Sequence, residues 1–105
     1  MCPYYKTLVN EQYGFSTWCS SKGSIRICFA NLVLFMSIEE VKDFMRCLYN
    51  AVAVEKTGSE KDVSVFIMPT PLETMQFAFT PKEQRYLLGL CQRSILLAEQ
   101  MRLAN

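Results

Sequence analysis

Histidine is absent from these 105 residues, and its absence removes a large block of chemistry. Ser-His and Cys-His nucleophile pairs, histidine general bases and mixed Cys/His zinc sites are all impossible within one chain. Charge of one sign is missing too. With 11 basic and 10 acidic residues the net charge is +1, so no long-range field draws in nucleic acid or an anionic membrane. Glycine is scarce and scattered: Gly14, Gly23, Gly58 and Gly89 stand alone, which leaves no glycine-rich phosphate loop. The longest apolar run, Ile27–Met36, is interrupted by Asn31 and falls far short of the about 20 apolar residues a membrane span needs. The opening MCPYYKTLVNEQ carries polar residues where a secretory signal has its apolar region, so no signal is expected. Of the five cysteines (Cys2, Cys19, Cys28, Cys47 and Cys91), no two form C-x-x-C. Their odd number points to free thiols in a reducing compartment, hence a cytoplasmic location. A Cys19–Cys28 disulfide in an oxidising compartment is the alternative. Cys47 and Cys91 fall within apolar helical faces, where a free cysteine packs as a small hydrophobe.

What is present is an ordinary globular balance. Half of the residues are hydrophobic and a fifth are charged. A chain of this length reads as one domain, residues 1–105, able to bury roughly 65% of the surface it exposes when unfolded. Two joints between strand and helix organise it. In Asn31–Ala53 an apolar strand, Leu32–Met36, runs into a helix whose Ile38, Val41, Phe44, Met45, Leu48 and Val52 share one face. Ser37, with Glu40 three residues later, has the spacing of a capping box, in which each side chain satisfies a backbone N–H left free by the first turn. Thr80-Pro81-Lys82-Glu83 repeats the device before a second helix, from Pro81 to about Leu103, with proline at its favoured first position.

The remaining chain supplies strands. Tyr4–Asn10 is rich in β-formers, and Tyr13–Trp18 alternates; Glu11-Gln12 is read as the link between them. Cys19–Gly23 is a turn by composition, with Gly23 able to take a positive φ. Ser24–Phe29 alternates, with Ile25, Ile27 and Phe29 on one side. Asn31 either turns the chain so that 24–29 and 32–36 pair, or bends a single strand. Glu55–Asp62 is the most polar stretch and reads as a solvated loop. Val63–Met68 and Thr74–Phe79 are strands separated by Pro69-Thr70-Pro71, which cannot continue a ladder. The order β-β-β-β-α-β-β-α implies an α+β fold: one antiparallel sheet of about five to six strands with both helices on one face, and a ββα unit used twice.

Four constellations could carry chemistry. The first is Trp18-Cys19-Ser20-Ser21-Lys22-Gly23, continuing to Cys28. A zinc knuckle places two cysteines three apart on such a turn, but the second position is Lys22, which does not ligate when charged, so no metal and no cofactor is expected. A reactive thiol at Cys19 remains open, since a lysine beside it favours thiolate, with Cys28 across the hairpin. A plain turn is the alternative. These residues, with Ile25-Arg26-Ile27-Cys28-Phe29, Asn31-Leu32-Val33-Leu34 and Ser37-Ile38-Glu39-Glu40, give residues 15–45 a pattern that resembles a small group of uncharacterised bacterial proteins, mainly from Bacteroidetes. That group has a C-x-x-C-G turn, an I-x-I/L-x-F strand, a short N-L-x-L-like strand and an S-x-E-E helix start. The resemblance implies no activity, and Lys22 departs from the group at the position of the second cysteine.

The second constellation is the aromatic N-terminal part, Tyr4, Tyr5, Tyr13, Phe15 and Trp18 near Lys6, Lys22 and Arg26. Aromatics on a sheet can stack unpaired bases, but the near-zero net charge opposes tracking of phosphates, and cross-strand packing is the plainer account. The third is acid–base chemistry from Glu39/Glu40, Glu55, Glu60/Asp62 or Glu73. No two of these carboxylates share an apolar setting, and the first pair suits a helix N-terminus. An enzyme is therefore not expected. The fourth is the second helix, whose apolar arc is wider than one sheet covers. Either both sides are buried within the monomer, or Tyr86, Leu90, Leu97 and Met101 form a surface for a two-fold homodimer. Taken together, the sequence reads as a non-catalytic binding or self-association domain, with a thiol-based or degenerate metal-binding role at Cys19 and Cys28 as the alternative.

Overall fold

The computed structural model describes residues 5–55 and 64–104. Four strands, β1 (Tyr5–Glu11), β2 (Gly14–Cys19), β3 (Ser24–Phe29) and β4 (Leu32–Ser37), form an antiparallel meander in the order β1-β2-β3-β4. Helix α1 (Ile38–Tyr49) follows without a loop. A second antiparallel meander, β5 (Val52–Glu55), β6 (Ser64–Pro69) and β7 (Gln76–Phe79), leads into the long helix α2 (Pro81–Leu103). The described residues are thus α+β, with two helices and two antiparallel sheets.

Both joints are built as their spacing requires. The Glu40 N–H donates to Ser37 Oγ at 3.1 Å, and the Ser37 N–H donates to Glu40 Oε1 at 2.9 Å. At the second joint the corresponding distances are 3.1 Å and 2.8 Å between Thr80 and Glu83. Asn31 does turn the chain. Phe29 pairs with Leu32, and Ala30, between them, takes a φ of 51°, a left-handed conformation that costs a non-glycine residue about 1 kcal/mol. Gly23 supplies the positive φ expected of it, 61°. The first hairpin turns on Gln12-Tyr13 rather than Glu11-Gln12, because Glu11 still pairs with Gly14. Gly14 is required there: a Cβ would stand 2.6 Å from the Cys28 carbonyl oxygen and 3.0 Å from Leu90.

Three expectations need correction. The strands do not form one sheet of five to six. The chain leaves β4 directly into α1, so the strand after the helix begins a new meander. Residues 29–32 and 76–79 face each other across a crevice of about 200 Å³ rather than through a ladder. The first helix does not reach Val52. Asn50 caps it, its N–H donating to the Arg46 carbonyl at 3.1 Å. Val52-Ala53-Val54 then pairs with Val65-Phe66-Ile67 as β5, the extended form that β-branched residues favour. Cys47, expected inside an apolar face, is exposed on α1. The expected loop over 55–62 lies almost wholly outside the described residues.

The core explains the wide apolar arc of α2. Ile25, Ile27 and Phe29 of β3 meet Ile38, Val41 and Leu48 of α1, and Leu87, Leu90, Cys91, Ile95 and Ala98 of α2, together with Met68 and Phe79 of the second sheet. Helix α2 packs on β1, β2 and β3, on β6 and β7, and on α1. It is the element shared by everything else. Helices α1 and α2 run antiparallel, held by Glu39–Arg102 (3.3 Å) and Lys42–Glu99 (3.5 Å), surface pairs of the kind that contribute about 0–1 kcal/mol. At the other end, Gln84 Nε2 donates to the Leu48 carbonyl at 2.8 Å, satisfying an acceptor that the last turn of α1 leaves free.

Candidate functional site

The period of a strand sends alternate residues to opposite faces, and here the two faces of the four-stranded sheet differ in an unexpected way. The inner face is covered by the helices. The outer face has no helix over it among the described residues, yet only half of its residues are polar, and one of those, Thr17, is 6% exposed. Its cross-strand rows can be read from the register: Asn10–Phe15–Cys28–Val33, and Thr7–Thr17–Arg26–Phe35. Phe15 is 41% exposed, Val33 54% and Phe35 64%. Arg26 is the one charged side chain on this face among the described residues, and its guanidinium lies 4.3 Å from the ring centre of Tyr5. Thr17 Oγ1 and Arg26 Nε are buried without a hydrogen-bond partner. A solvated face of an antiparallel sheet ordinarily alternates to polar residues. This one presents two phenylalanines, a valine and a thiol.

Cys19 and Cys28 do not form one site. Cys19 pairs with Ser24, and Cys28 lies four residues further along β3, about 13 Å at the rise of an extended strand. That exceeds the span of a disulfide. Cys28 is a free, half-buried thiol. Cys19 is held in a disulfide, so it has no thiol for Lys22 to activate, and Ser21 Oγ sits 3.3 Å from its sulfur. Lys22 is exposed in the turn. No cluster of three or more His, Cys, Asp or Glu that could hold a metal occurs among the described residues.

The four residues proposed on α2 also separate. Leu90 is 2% exposed and belongs to the core. Met101 is half-buried against it, and Tyr86 stacks on Tyr13 with ring centres 4.0 Å apart. Only Leu97 points outward, beside Leu96, along a groove of about 510 Å³ that Leu8–Glu11 of β1 completes. Of the N-terminal aromatics, Trp18 is buried on the inner face and Tyr13 belongs to the hairpin turn, whereas Tyr5 and Phe15 reach the outer face. Phe35 was legible as a member of this face from its alternation with Leu34 and Met36. The unbroken apolar run Leu32–Met36, with no polar residue to mark an outer side, hid it.

A cleft of about 400 Å³ lies between the first hairpin turn and α2, lined by Tyr13, Gly14, Phe29, Arg85, Tyr86 and Arg93, among others. Arg93 folds over Gly89 and pairs with Glu11. A hydrogen bond with Tyr86 holds the Tyr13 phenol above its ordinary range, the Tyr86 charge adding to the effect. Elsewhere, Glu39 is held below the usual carboxylate range by its own backbone N–H first and by Arg102 second. It is an ionised helix-end residue rather than an acid catalyst. Glu60 and Asp62 lie outside the described residues. Comparison with protein-family models, with curated proteins and with solved structures finds no match to this chain. Among the described residues no helix is long and apolar enough to cross a membrane.

Proposed function

We propose that this chain is a non-catalytic association domain, working through an apolar sheet surface rather than through a reacting group. The observation that carries the reading is the outer face of β2–β4, where Phe15, Val33 and Phe35 stand exposed around Cys28. Large apolar groups gathered on one surface mark interaction sites. The seam moves from the second helix, where Leu90 is spent inside the monomer, to this sheet face. Self-association into a homodimer is the form proposed, without metal, cofactor, membrane or nucleic acid as partner. Light scattering on the wild-type protein at about 100 µM, where even a micromolar dimer is formed, should return a mass above that of one chain. A monomer there ends the self-association reading.

The kinship proposed for residues 15–45 remains the Bacteroidetes group described above, and the location proposed is the cytoplasm, supported by free thiols at Cys28, Cys47 and Cys91. The disulfide at Cys19 opposes that location, because cytosolic disulfides are rare. Thiol counting on protein drawn from its own cells, unfolded without reductant, decides between them. Five thiols of the five cysteines support a reducing compartment, and three support an oxidising one.

A further inference from the structure

We infer that the partner of the outer face of β1–β4 is the same face of a second copy, so that two four-stranded sheets pack against each other across a two-fold axis, with the helices outermost. The inference rests on the association reading above and names its occupant and geometry.

Three observations lead to it. First, the face is self-complementary in chemistry. Row Phe15–Cys28–Val33 is apolar, and Phe35 continues it in the neighbouring row. Thr7, Thr17 and Asn10 carry no charge, so two copies meet without like charges at the centre. Arg26 already lies along the Tyr5 ring, and its long side chain can carry the guanidinium to the rim of such a seam. A face that meets its own image in this way forms a closed two-fold interface rather than a filament.

Second, the area fits. The chain exposes 7247 Å², about 1,200 Å² more than the roughly 6,000 Å² of a compact monomer of its mass. A standard stable interface takes about 800 Å² from each partner. The surplus belongs to the whole surface, and Phe15, Val33 and Phe35, 41%, 54% and 64% exposed, contribute to it on this face. The molecule is also elongated, 53 × 29 × 22 Å with a radius of gyration of 15.1 Å, against about 13 Å for a compact domain of this length.

Third, the edges argue against a competing mode through strand addition at β1. That outer edge carries Lys6, and its register shifts between Thr7 and Val9; a charge and a bulge are two of the devices that keep an edge from pairing with another chain. No such device guards the outer face, which is left to stack. Two sheets stacked face to face lie about 10 Å apart, with inner side chains interdigitating.

Cys28 sits in the middle of the proposed seam and reports on it. Cys47 is exposed on α1, and Cys91 is buried in the core, so the two bracket the range of reactivity within one molecule. The wild-type protein is alkylated with iodoacetamide across a dilution series, and each cysteine is quantified by peptide mass. The seam requires Cys28 to slow several-fold as the protein is concentrated into the dimer, while Cys47 reacts at an unchanged rate. In parallel, Phe35→Lys and Val33→Lys, both at positions open to solvent in the monomer, should each return the mass of a single chain by light scattering with the far-ultraviolet spectrum of the wild type. A dimeric wild type whose two lysine variants stay dimeric, with Cys28 unaffected by dilution, overturns the seam and takes the association off this sheet face, leaving self-association through another surface. A wild type that is monomeric at about 100 µM overturns both, since even a micromolar dimer would be formed.

Discussion

Ser16 and Ser94 are both fully buried, and their hydroxyls are 2.6 Å apart, one from β2 and one from α2. Ser94 Oγ also donates to the Leu90 carbonyl at 2.6 Å, so its hydrogen is committed and Ser16 must be the donor between them. This short chain is the polar weld between the sheet and the helix that crosses it. Ser94→Ala removes the acceptor and strands the Ser16 hydroxyl, which should cost about 1–3 kcal/mol in urea unfolding. Ser16→Ala with Ser94→Ala should cost less than the sum of the two single changes, because no orphan remains. A strictly additive pair would show that the weld contributes nothing beyond its volume. Cys91, one helical turn before Ser94, sits in the same core. Burial pushes its thiol up to about 12, against about 9 when unfolded. Between these values the unfolded chain has lost the Cys91 proton and the folded chain keeps it. The stability contributed by Cys91 is therefore whole below pH 9 and is lost as pH rises toward 12, at up to about 1.4 kcal/mol per pH unit. Cys91→Ala should flatten the fall in stability between pH 9 and 11 relative to wild type, whatever its cost at neutral pH. An unchanged slope would place the alkaline loss on other groups.

At the scale of elements, the two capped joints were readable because a capping box is local: two residues three apart settle it. Thr80→Ala should lower stability by about 1 kcal/mol, measured by chemical unfolding, since the Glu83 N–H loses its acceptor; Thr80→Ser should restore most of it. The one-faced stripe of α1 was equally legible as far as Leu48. Beyond that point the sequence is ambiguous, because Val52 satisfies a helical spacing and a strand alternation alike. What decides is Asn50 ending the helix and the pairing of Val52–Val54 with β6, a partner more than ten residues away that no local window contains. The same blindness explains the missed split into two sheets, which depends on β4 and β7 not pairing. Leu90 was left open between the core and an outer surface for the converse reason. Its exposure is set by Gly14, whose missing Cβ lets α2 settle within 3.0 Å of the position that atom would occupy, and close approach of distant segments leaves no periodic trace. The outer sheet face was visible in part. Phe15 alternated as it should, and Phe35 was absorbed into the unbroken apolar run Leu32–Met36, which shows no alternation.

The whole molecule hangs on α2, which lies against β1–β3 with part of its surface and against α1, β6 and β7 with the rest. Among the described residues the three-stranded sheet also touches α1, through the edge-on contact of Phe77 with Phe44. Val52 and Val54 are 67% and 45% exposed, and its buried anchors are Met68 and Phe79, both in the cluster that includes Leu87 and Ala98. A sheet of three short strands is marginal without a helix packed on its apolar face. Because α2 packs on both sheets, lifting it from the second sheet exposes Met68 and Phe79 to water. Folding should then be one cooperative event. Native-state hydrogen exchange should show amides paired in β3 and in β6 opening with the same free energy, and Leu87→Ala, expected to cost about 2–5 kcal/mol, should lower both by the same amount. If β6 exchanges through a much cheaper opening that Leu87→Ala leaves untouched, the second sheet is a separately melting unit and the helix serves only the first. The two results predict different behaviour for the association surface. In the cooperative case the outer face of β2–β4 is as rigid as the core behind it, because Phe35 and Val33 alternate along one strand with Leu34 and Met36, which pack on that core. A rigid apolar face loses little entropy when it docks, which is the property a surface needs if it is to hold a second copy with eight short strand segments and no reacting group.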